Sequence, residues 1–270
     1  MKSSGVIYPT FKDAQTLFAS YSTLEPNHLL YETLVNTIDS SFINIHPVKS
    51  IREIYNSIIL KYYPNEMCIK SSFINQILLK TKNHVTIFEL PVGNSRVDLC
   101  KLNGSSIAYE IKTDLDNLQR LNKQLNDYLE LFENAFVICS ETKMIEIENS
   151  ISSLCGIYIY SLTKRGTLKF TMYRDASKSP ILNPKKQLEV LRKKELLNYF
   201  SPSDFSTRHD IITNIIANHS SETINNYFKR IIKLRYQEKW NYFRDIHKDI
   251  LEIDYQWFYK NTANPKLIYN

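Results

Sequence analysis

The spacing of hydrophobic residues along the chain predicts helices first, strands next and helices again at the end. In LLYETLVNTIDSSF and in SIREIYNSIILKYY, apolar residues recur every three or four positions, which is the spacing of one helix face. The second of these segments starts at Ser50, a residue type that favours the position before a helix. A similar pattern continues over residues 66–80. We therefore expect a helical extension over residues 1–60 and a first core helix over residues 66–80.

Between residues 85 and 175 the pattern becomes that of strands. VTIFEL predicts one strand, and two alternating segments on either side of Asn103-Gly104 predict a hairpin, because Asn-Gly tolerates the positive φ of tight hairpin turns. After a helix predicted over residues 115–133, the apolar run AFVIC predicts a strand that is buried on both faces, as parallel strands are. GIYIYSL predicts a further strand. TLKFTMY predicts an edge strand, beyond a turn at Arg165-Gly166.

After the linker ASKSPILNPKK the chain again has the pattern of helices. The predicted helices are KKQLEVLRKKELLNYF, STRHDIITNIIANH and SETINNYFKRIIKLRYQEKWNYFRDIHKDI. The whole pattern predicts an α/β fold with three parts: a helical extension over 1–60, a core over 61–175 and a basic helical subdomain over 185–270. The last part has two possible interpretations: a helix-turn-helix-like DNA-binding domain, or helices that only pack on the core.

Composition and charge exclude several classes of function. The 270 residues are 43% hydrophobic, enough for one substantial core or two smaller ones. No apolar run approaches the ~20 residues of a membrane span, and the start lacks a secretory leader, so we expect a cytoplasmic protein without a membrane partner. The four scattered cysteines are expected to be buried thiols. A glycine-rich phosphate loop and a nucleophile-elbow motif are both missing, which argues against nucleotide binding and serine hydrolysis.

The positive charge is concentrated late in the chain. Residues 1–160 contain 14 Lys/Arg and 17 Asp/Glu, whereas residues 161–270 contain 20 and 11, and the whole chain carries a formal charge of +6. A basic final third joined to an acidic core indicates a partner that carries phosphates.

Candidate chemistry lies in the hairpin and the helix after it, RVDLCKLNGSSIAYEIKTDLDNLQRLNKQLNDY. Alternation places Glu110 and Lys112 on one side of their strand, and pairing of the two strands can bring Asp98 to the same side. Carboxylates are hard ligands suited to Mg²⁺ or Mn²⁺, and a nearby lysine can polarise water or stabilise a phosphate. This predicts metal-dependent hydrolysis of a phosphodiester. The alternative is a strand-edge aspartate beside a surface ion pair without a catalytic role.

Asp98, then Glu110-Ile111-Lys112, then a helix with Gln124 and Tyr128, resembles the PD-(D/E)xK nuclease superfamily. Over roughly residues 62–160 the sequence around this motif is similar to the Sce-type family of small, poorly characterised bacterial proteins. The resemblance implies a restriction-endonuclease-like core, a central mixed β-sheet flanked by helices. It also implies that Asp98 and Glu110 bind the metal with the Ile111 carbonyl, that Lys112 is the catalytic lysine, and that Gln124 is an accessory polar residue.

The superfamily usually has an earlier acid, and two residues fit it here. Glu66 lies in the first core helix, and Glu89 ends the strand before Asp98; Glu89 is preferred because it needs no assumption about helix docking. The resemblance thus implies a Mg²⁺- or Mn²⁺-dependent deoxyribonuclease, with RNA and a homodimer or protein partner left open. The alternative is a non-cleaving relative that binds nucleic acid or protein. The cations expected to contact nucleic acid are Arg120, Lys193, Lys194, Arg230, Lys233 and Arg235.

Overall fold

A computed structural model of the protein describes residues 5–47, 49–93, 95–164, 166–201 and 207–269. In chain order the helices are α1 (Phe11–Ser20), α2 (Asn27–Thr37), α3 (Ser40–Asn44), α4 (Ile51–Tyr62), α5 (Glu66–Phe73), α6 (Leu121–Leu129), α7 (Met144–Ser150), α8 (Pro184–Val190), α9 (Lys193–Phe200), α10 (Arg208–Asn218), α11 (Ser221–Ile246), α12 (Tyr255–Asn261) and α13 (Pro265–Ile268). The strands are β1 (Val85–Val92), β2 (Ser95–Asn103), β3 (Ser105–Lys112), β4 (Asn134–Ser140), β5 (Gly156–Leu162) and β6 (Leu168–Arg174).

The chain forms two compact units. The first unit combines the chain up to Ile77 with Leu162–Lys169 and the chain from Tyr242 onward; the second combines Leu78–Ser161 with Phe170–Asn241. The ranges predicted from the sequence are 1–60, 61–175 and 185–270. The first lies in the first unit, whereas the last is divided, with 185–241 in the second unit and 242–270 in the first.

The first unit is helical, as predicted for residues 1–60. Ser50 precedes α4 and forms a capping box with Glu53, in which each side chain bonds the other residue's backbone N–H. The apolar faces of the N-terminal helices pack together, with Leu17, Leu34 and Ile58 fully or almost fully buried. The same apolar cluster includes Ile253, which lies just before α12.

Asp254 explains why the two ends of the chain share a unit. Its carboxylate is completely buried. It accepts hydrogen bonds from the hydroxyls of Tyr21 at 2.8 Å, Thr23 at 2.6 Å and Tyr269 at 2.6 Å. A buried carboxylate needs such partners, because an unsatisfied one would be costly. These bonds join the segment after α1 to the C-terminal helices.

The second unit contains most of a six-stranded sheet in the order β1-β2-β3-β4-β5-β6. β1, β2 and β3 pair antiparallel, whereas β3–β4 and β4–β5 pair parallel. The sheet is therefore mixed, and with its flanking helices it confirms the α/β class. As predicted, the apolar run AFVIC lies in a parallel strand, β4, and TLKFTMY forms the edge strand β6.

The hairpin between β2 and β3 turns at the predicted place. Gly104 has φ +72°, whereas Asn103 keeps a negative φ and remains paired with Ser105. The turn thus uses the positive φ of one residue and not of two. For the other predicted turn, Gly166 has φ +75°, and its partner Arg165 lies outside the described residues.

Two predicted helices are interrupted, and polar side chains account for both. The helix expected over 115–133 is only α6, because Asp116 accepts a bond from Thr113 N–H and Asn117 from Gln119 N–H, which favours turns before it. KKQLEVLRKKELLNYF forms α8 and α9. Glu195 accepts from Arg192 N–H and so begins a second helix there. Among the described residues, no helix is long and apolar enough to cross a membrane.

Candidate functional site

Asp98 and Glu110 lie on the neighbouring strands β2 and β3. Each is the residue next to the pair Leu99↔Tyr109, at the end of the paired part of the two strands. The Asp98 carboxylate also accepts a hydrogen bond from the backbone N–H of Ile111 at 2.7 Å. This bond fixes the carboxylate beside the backbone that joins Glu110 to Lys112.

Lys112 connects β3 to helix α6. Its ammonium donates to Glu110 Oε1 at 2.8 Å and to Gln124 Oε1 at 3.2 Å. The Glu110 side chain is 4% exposed and that of Lys112 is 12% exposed, so the pair is largely shielded from water. The amphipathic pattern of α6 explains the contact, since Leu121, Leu125 and Leu129 are buried and Gln124 lies at the margin of that face.

Tyr128 holds the second oxygen of Glu110. Its hydroxyl lies 2.7 Å from Glu110 Oε2 and 3.0 Å from the backbone carbonyl oxygen of Arg96, so its single proton is shared between these two acceptors, of which Glu110 is the nearer. Burial, followed by the nearby negative charge of Glu110, raises the pKa of Tyr128 well above its usual range, and the charge of Asp98 adds to the shift. The hydroxyl therefore stays protonated and acts as a donor.

Glu89 lies beside Asp98 on the neighbouring strand. The pairs Phe88↔Leu99 and Leu90↔Val97 bracket a position at which Glu89 faces Asp98. Carboxylate oxygens of these two residues lie within 4.8 Å of each other. The backbone of Glu89 has φ +56°. Residues other than glycine adopt this conformation only at a cost in free energy, and it is common at functional sites. Its buried carboxylate forms an ion pair with the guanidinium of Arg96.

The two residues considered for the first acid belong to different units of the chain. Glu89 belongs to the second unit, on the strand next to Asp98. Glu66 belongs to the first unit, where its exposed carboxylate pairs with the buried ammonium of Lys70 at 2.9 Å.

The donor chemistry fits a hard divalent cation. Glu89 and Asp98 supply close carboxylate oxygens, and Glu110 lies on the neighbouring strand β3 with its own oxygens bonded to Lys112 and Tyr128. Oxygen-only donors of this kind suit Mg²⁺ or Mn²⁺ better than a soft metal. Ile111, the third predicted ligand, lies between Glu110 and Lys112, and its N–H contacts Asp98.

Sequence reasoning assigns no role at this site to Arg96, and it names Tyr128 only as part of the family motif, without a role. The spacing of four between Gln124 and Tyr128 gave a usable signal, because such residues lie on one side of a helix. No local signal identified Arg96, whose partner Glu89 is on another strand.

The six predicted nucleic-acid contacts have different environments. Lys233 donates to the backbone carbonyl of Asn83 at 3.0 Å. Arg235 donates to Glu195 at 2.8 Å, and its side chain is only 10% exposed. Arg235 therefore stabilises the contact between α11 and α9. The remaining four cations are exposed: Arg120, Lys193, Lys194 and Arg230.

Comparison with known families places this fold and site in context. The model of the family described as Bacteriophage P4 protein cII matches residues 61–256, which include every strand and the whole candidate site. The chain belongs to the bacteriophage P4 protein cII family. Protein cII of Enterobacteria phage P4 is 29% identical over 163 residues, which are 58% of this chain. The chain spans about three-fifths of the length of that cII relative, 61%.

A solved structure with limited similarity was also found. A protein of unknown function from Silicibacter pomeroyi is 18% identical, and the match covers 46% of this cII-family chain and 84% of that protein, with a TM-score of 0.30.

Proposed function

We propose that this cII-family protein is a metal-dependent nuclease that hydrolyses phosphodiester bonds in DNA, with a restriction-endonuclease-like core of the PD-(D/E)xK type. One observation carries the proposal: the Lys112 ammonium bonds both Glu110 and Gln124, and Asp98 accepts the N–H of Ile111, the residue between Glu110 and Lys112. Metal-dependent hydrolysis of a phosphodiester needs carboxylates to bind the metal and a positive group beside them. Asp98, Glu110 and Lys112 supply these groups from adjacent strands.

Each side chain has a role in this proposal. Asp98, Glu89 and Glu110, with the Ile111 carbonyl, would hold Mg²⁺ or Mn²⁺. The ion, when bound, supplies Lewis acidity that activates water and offsets negative charge on a phosphate. Lys112 orients the attacking water or stabilises the phosphate, since its ammonium is fixed by two oxygen partners.

Gln124 and Tyr128 keep the reactive groups in place. Gln124 accepts from Lys112, and Tyr128 donates to Glu110, so both act from helix α6 on residues of β3. Preorganised partners of this kind reduce the reorganisation needed when charge develops. Nucleic acid would be held by the exposed cations Arg120, Lys193, Lys194 and Arg230 through phosphate contacts.

The second candidate function is a nucleic-acid or protein binding module that does not cleave. One observation favours it: Glu89 is already paired with Arg96, and Glu110 with Lys112, so internal cations neutralise two of the three acids. Both functions use the same fold, and they differ in whether a divalent ion binds at these acids and displaces Arg96 from Glu89.

The decisive experiment compares wild type with Lys112→Ala on single-stranded, duplex and circular DNA and on RNA. Each substrate is incubated with Mg²⁺, with Mn²⁺ and with EDTA. We expect cleavage of DNA by wild type only with metal, and a loss of at least about 10²-fold in Lys112→Ala. Asp98→Asn and Glu110→Gln should also abolish cleavage while circular dichroism stays unchanged.

Two results would reject the nuclease assignment. One is retained cleavage by Glu110→Gln, which would identify a contaminant or another site. The other is binding of duplex DNA by wild type without cleavage in either metal, which would support the binding module. Cleavage of RNA alone would correct the substrate class and keep the reaction.

A further inference from the structure

Arg96 differs from the other charged residues of the site in its exposure. Its side chain is 63% exposed, whereas its partner Glu89 is 5% exposed. Lys112 is 12% exposed and Glu110 is 4% exposed. One partner of this ion pair is thus held inside the protein, and the other is free to move into solvent.

The surroundings of Glu89 require a positive charge. Its carboxylate oxygen lies within 4.8 Å of an Asp98 oxygen, and two like charges at that separation repel each other strongly when they are shielded from water. The Glu89 side chain is only 5% exposed, so the surrounding protein limits its movement away from Asp98. Arg96 supplies the charge, and a divalent cation bound to Glu89 would compete with it for the same carboxylate.

The backbone of Arg96 is anchored independently of its side chain. Its carbonyl accepts the Tyr128 hydroxyl at 3.0 Å, and Arg96 pairs with Pro91 across β1 and β2. The guanidinium can therefore leave Glu89 while the strand stays in register. A guanidinium released at the rim of the site has the planar set of donors that matches a phosphate.

We propose that Arg96 is a positioning residue that exchanges partners: it neutralises Glu89 before a divalent ion is bound, and contacts a phosphate of the nucleic acid once the ion has replaced it. This inference rests on the proposed function, since it requires a divalent ion at Glu89 and Asp98. It predicts that one substitution strengthens metal binding and weakens nucleic-acid binding.

The first measurement is Mn²⁺ affinity by calorimetry, without nucleic acid. We expect Arg96→Gln to bind Mn²⁺ about two- to fivefold more tightly than wild type, because an exposed competing ion pair contributes about 1 kcal/mol or less. Arg96→Lys keeps the charge and should stay within about twofold of wild type. Lys169→Gln removes an equal charge from an exposed position on β6 and serves as the matched control.

The second measurement is the affinity for a labelled 20-base-pair DNA duplex, by fluorescence anisotropy in a Lys112→Ala background that prevents cleavage. With Mn²⁺, Arg96→Gln should weaken binding by about fivefold, the effect of losing one charge-assisted phosphate contact. With EDTA the same substitution should change binding by less than about twofold, because Glu89 then holds Arg96.

The outcomes separate this inference from the proposed function. If wild type binds Mn²⁺ and Arg96→Gln binds it equally or more weakly, Arg96 does not compete with the metal and this inference fails alone. An equal loss of duplex affinity with Mn²⁺ and with EDTA also rejects the exchange. If wild type binds no Mn²⁺, both proposals fail. Circular dichroism spectra of Arg96→Gln and Arg96→Lys that match wild type exclude misfolding as the cause.

Discussion

At the scale of single residues, Glu110 is the centre of the candidate site. Each of its oxygens has a different donor, Lys112 for Oε1 and Tyr128 for Oε2, and the residue is only 3% exposed. Burying a carboxylate without such partners would cost free energy. Its orientation is therefore set by a strand neighbour and by helix α6 together.

Replacing Tyr128 tests this arrangement. Tyr128→Phe keeps the ring but leaves a buried Glu110 oxygen without its donor, so we expect a loss of about 1–3 kcal/mol in the free energy of unfolding. Urea denaturation measures the loss. Tyr199→Phe is the matched control: its residue is partly buried and contacts Tyr227 through the ring, and it should cost less than about 0.5 kcal/mol. Equal losses in the two variants would contradict the role given to the Tyr128 hydroxyl.

At the scale of elements, Glu133 joins the sheet to the long helix α11. Its side chain accepts from Ser106 N–H at 2.9 Å and from Asn225 at 3.1 Å, and it pairs with Lys229 at 3.1 Å. Ser106 in turn accepts from Glu133 N–H at 3.0 Å. These bonds tie the start of β3, the residue before β4 and the first half of α11, so the basic helix is attached close to the hairpin that carries Asp98.

The Glu133 contacts predict a stability that depends on pH. Burial by itself would raise the pKa of Glu133, but the bond from Ser106 and the charge of Lys229 lower it overall, below the ordinary 4.5. A carboxyl whose folded pKa is lowered stabilises the protein above its unfolded pKa, and this contribution is lost as pH falls through the folded value. Glu133→Gln should therefore be less stable than wild type at pH 7, and the difference should shrink from about pH 4.5 downward.

Denaturation by urea at several pH values measures this difference. Glu222→Gln, which changes an exposed acid of α11, is the control and should alter the unfolding free energy by less than about 0.5 kcal/mol. A difference between wild type and Glu133→Gln that stays constant from pH 7 to pH 3 would show that the charge of Glu133 contributes nothing.

At the scale of the whole molecule, the Lys and Arg residues of the basic final third fall into two groups: those that are exposed and those that are paired with acids of the fold. The segment after residue 160 contains 20 Lys/Arg. Two of these cations form ion pairs within the fold, Arg235 with Glu195 and Lys229 with Glu133. Counting basic residues therefore overestimates the charge available to phosphates.

Two arginines of α11 test this distinction. Arg230 is exposed, so Arg230→Gln should weaken duplex binding and reduce the slope of log affinity against log salt by about 0.9, the value of one phosphate contact. Arg235→Gln should instead lower the unfolding free energy by about 1–3 kcal/mol, because Glu195 loses its partner. Anisotropy across a salt series and thermal unfolding measure the two effects. An unchanged salt slope in Arg230→Gln would remove Arg230 from the binding surface.

The sequence by itself determined the order of the elements and one face of the hairpin. A strand repeats every two residues, so Glu110 and Lys112 had to share a side, and Gly104 marked the turn that pairs their strand with the strand of Asp98. The strand β4 and the helix cap at Ser50 could likewise be predicted from the sequence. Their signals, an apolar run and a capping residue, are contained in a few consecutive residues.

Only the tertiary structure decided which residues complete the site and which chain segments share a unit. The ion pair of Arg96 with Glu89 joins different strands, and the backbone conformation that places Glu89 there follows no local pattern. Likewise, Asp254 accepts hydrogen bonds from the hydroxyls of residues more than 200 positions away in the sequence, among them Tyr21. Such contacts depend on the packing of distant segments, and a pattern of neighbouring residues does not contain that information.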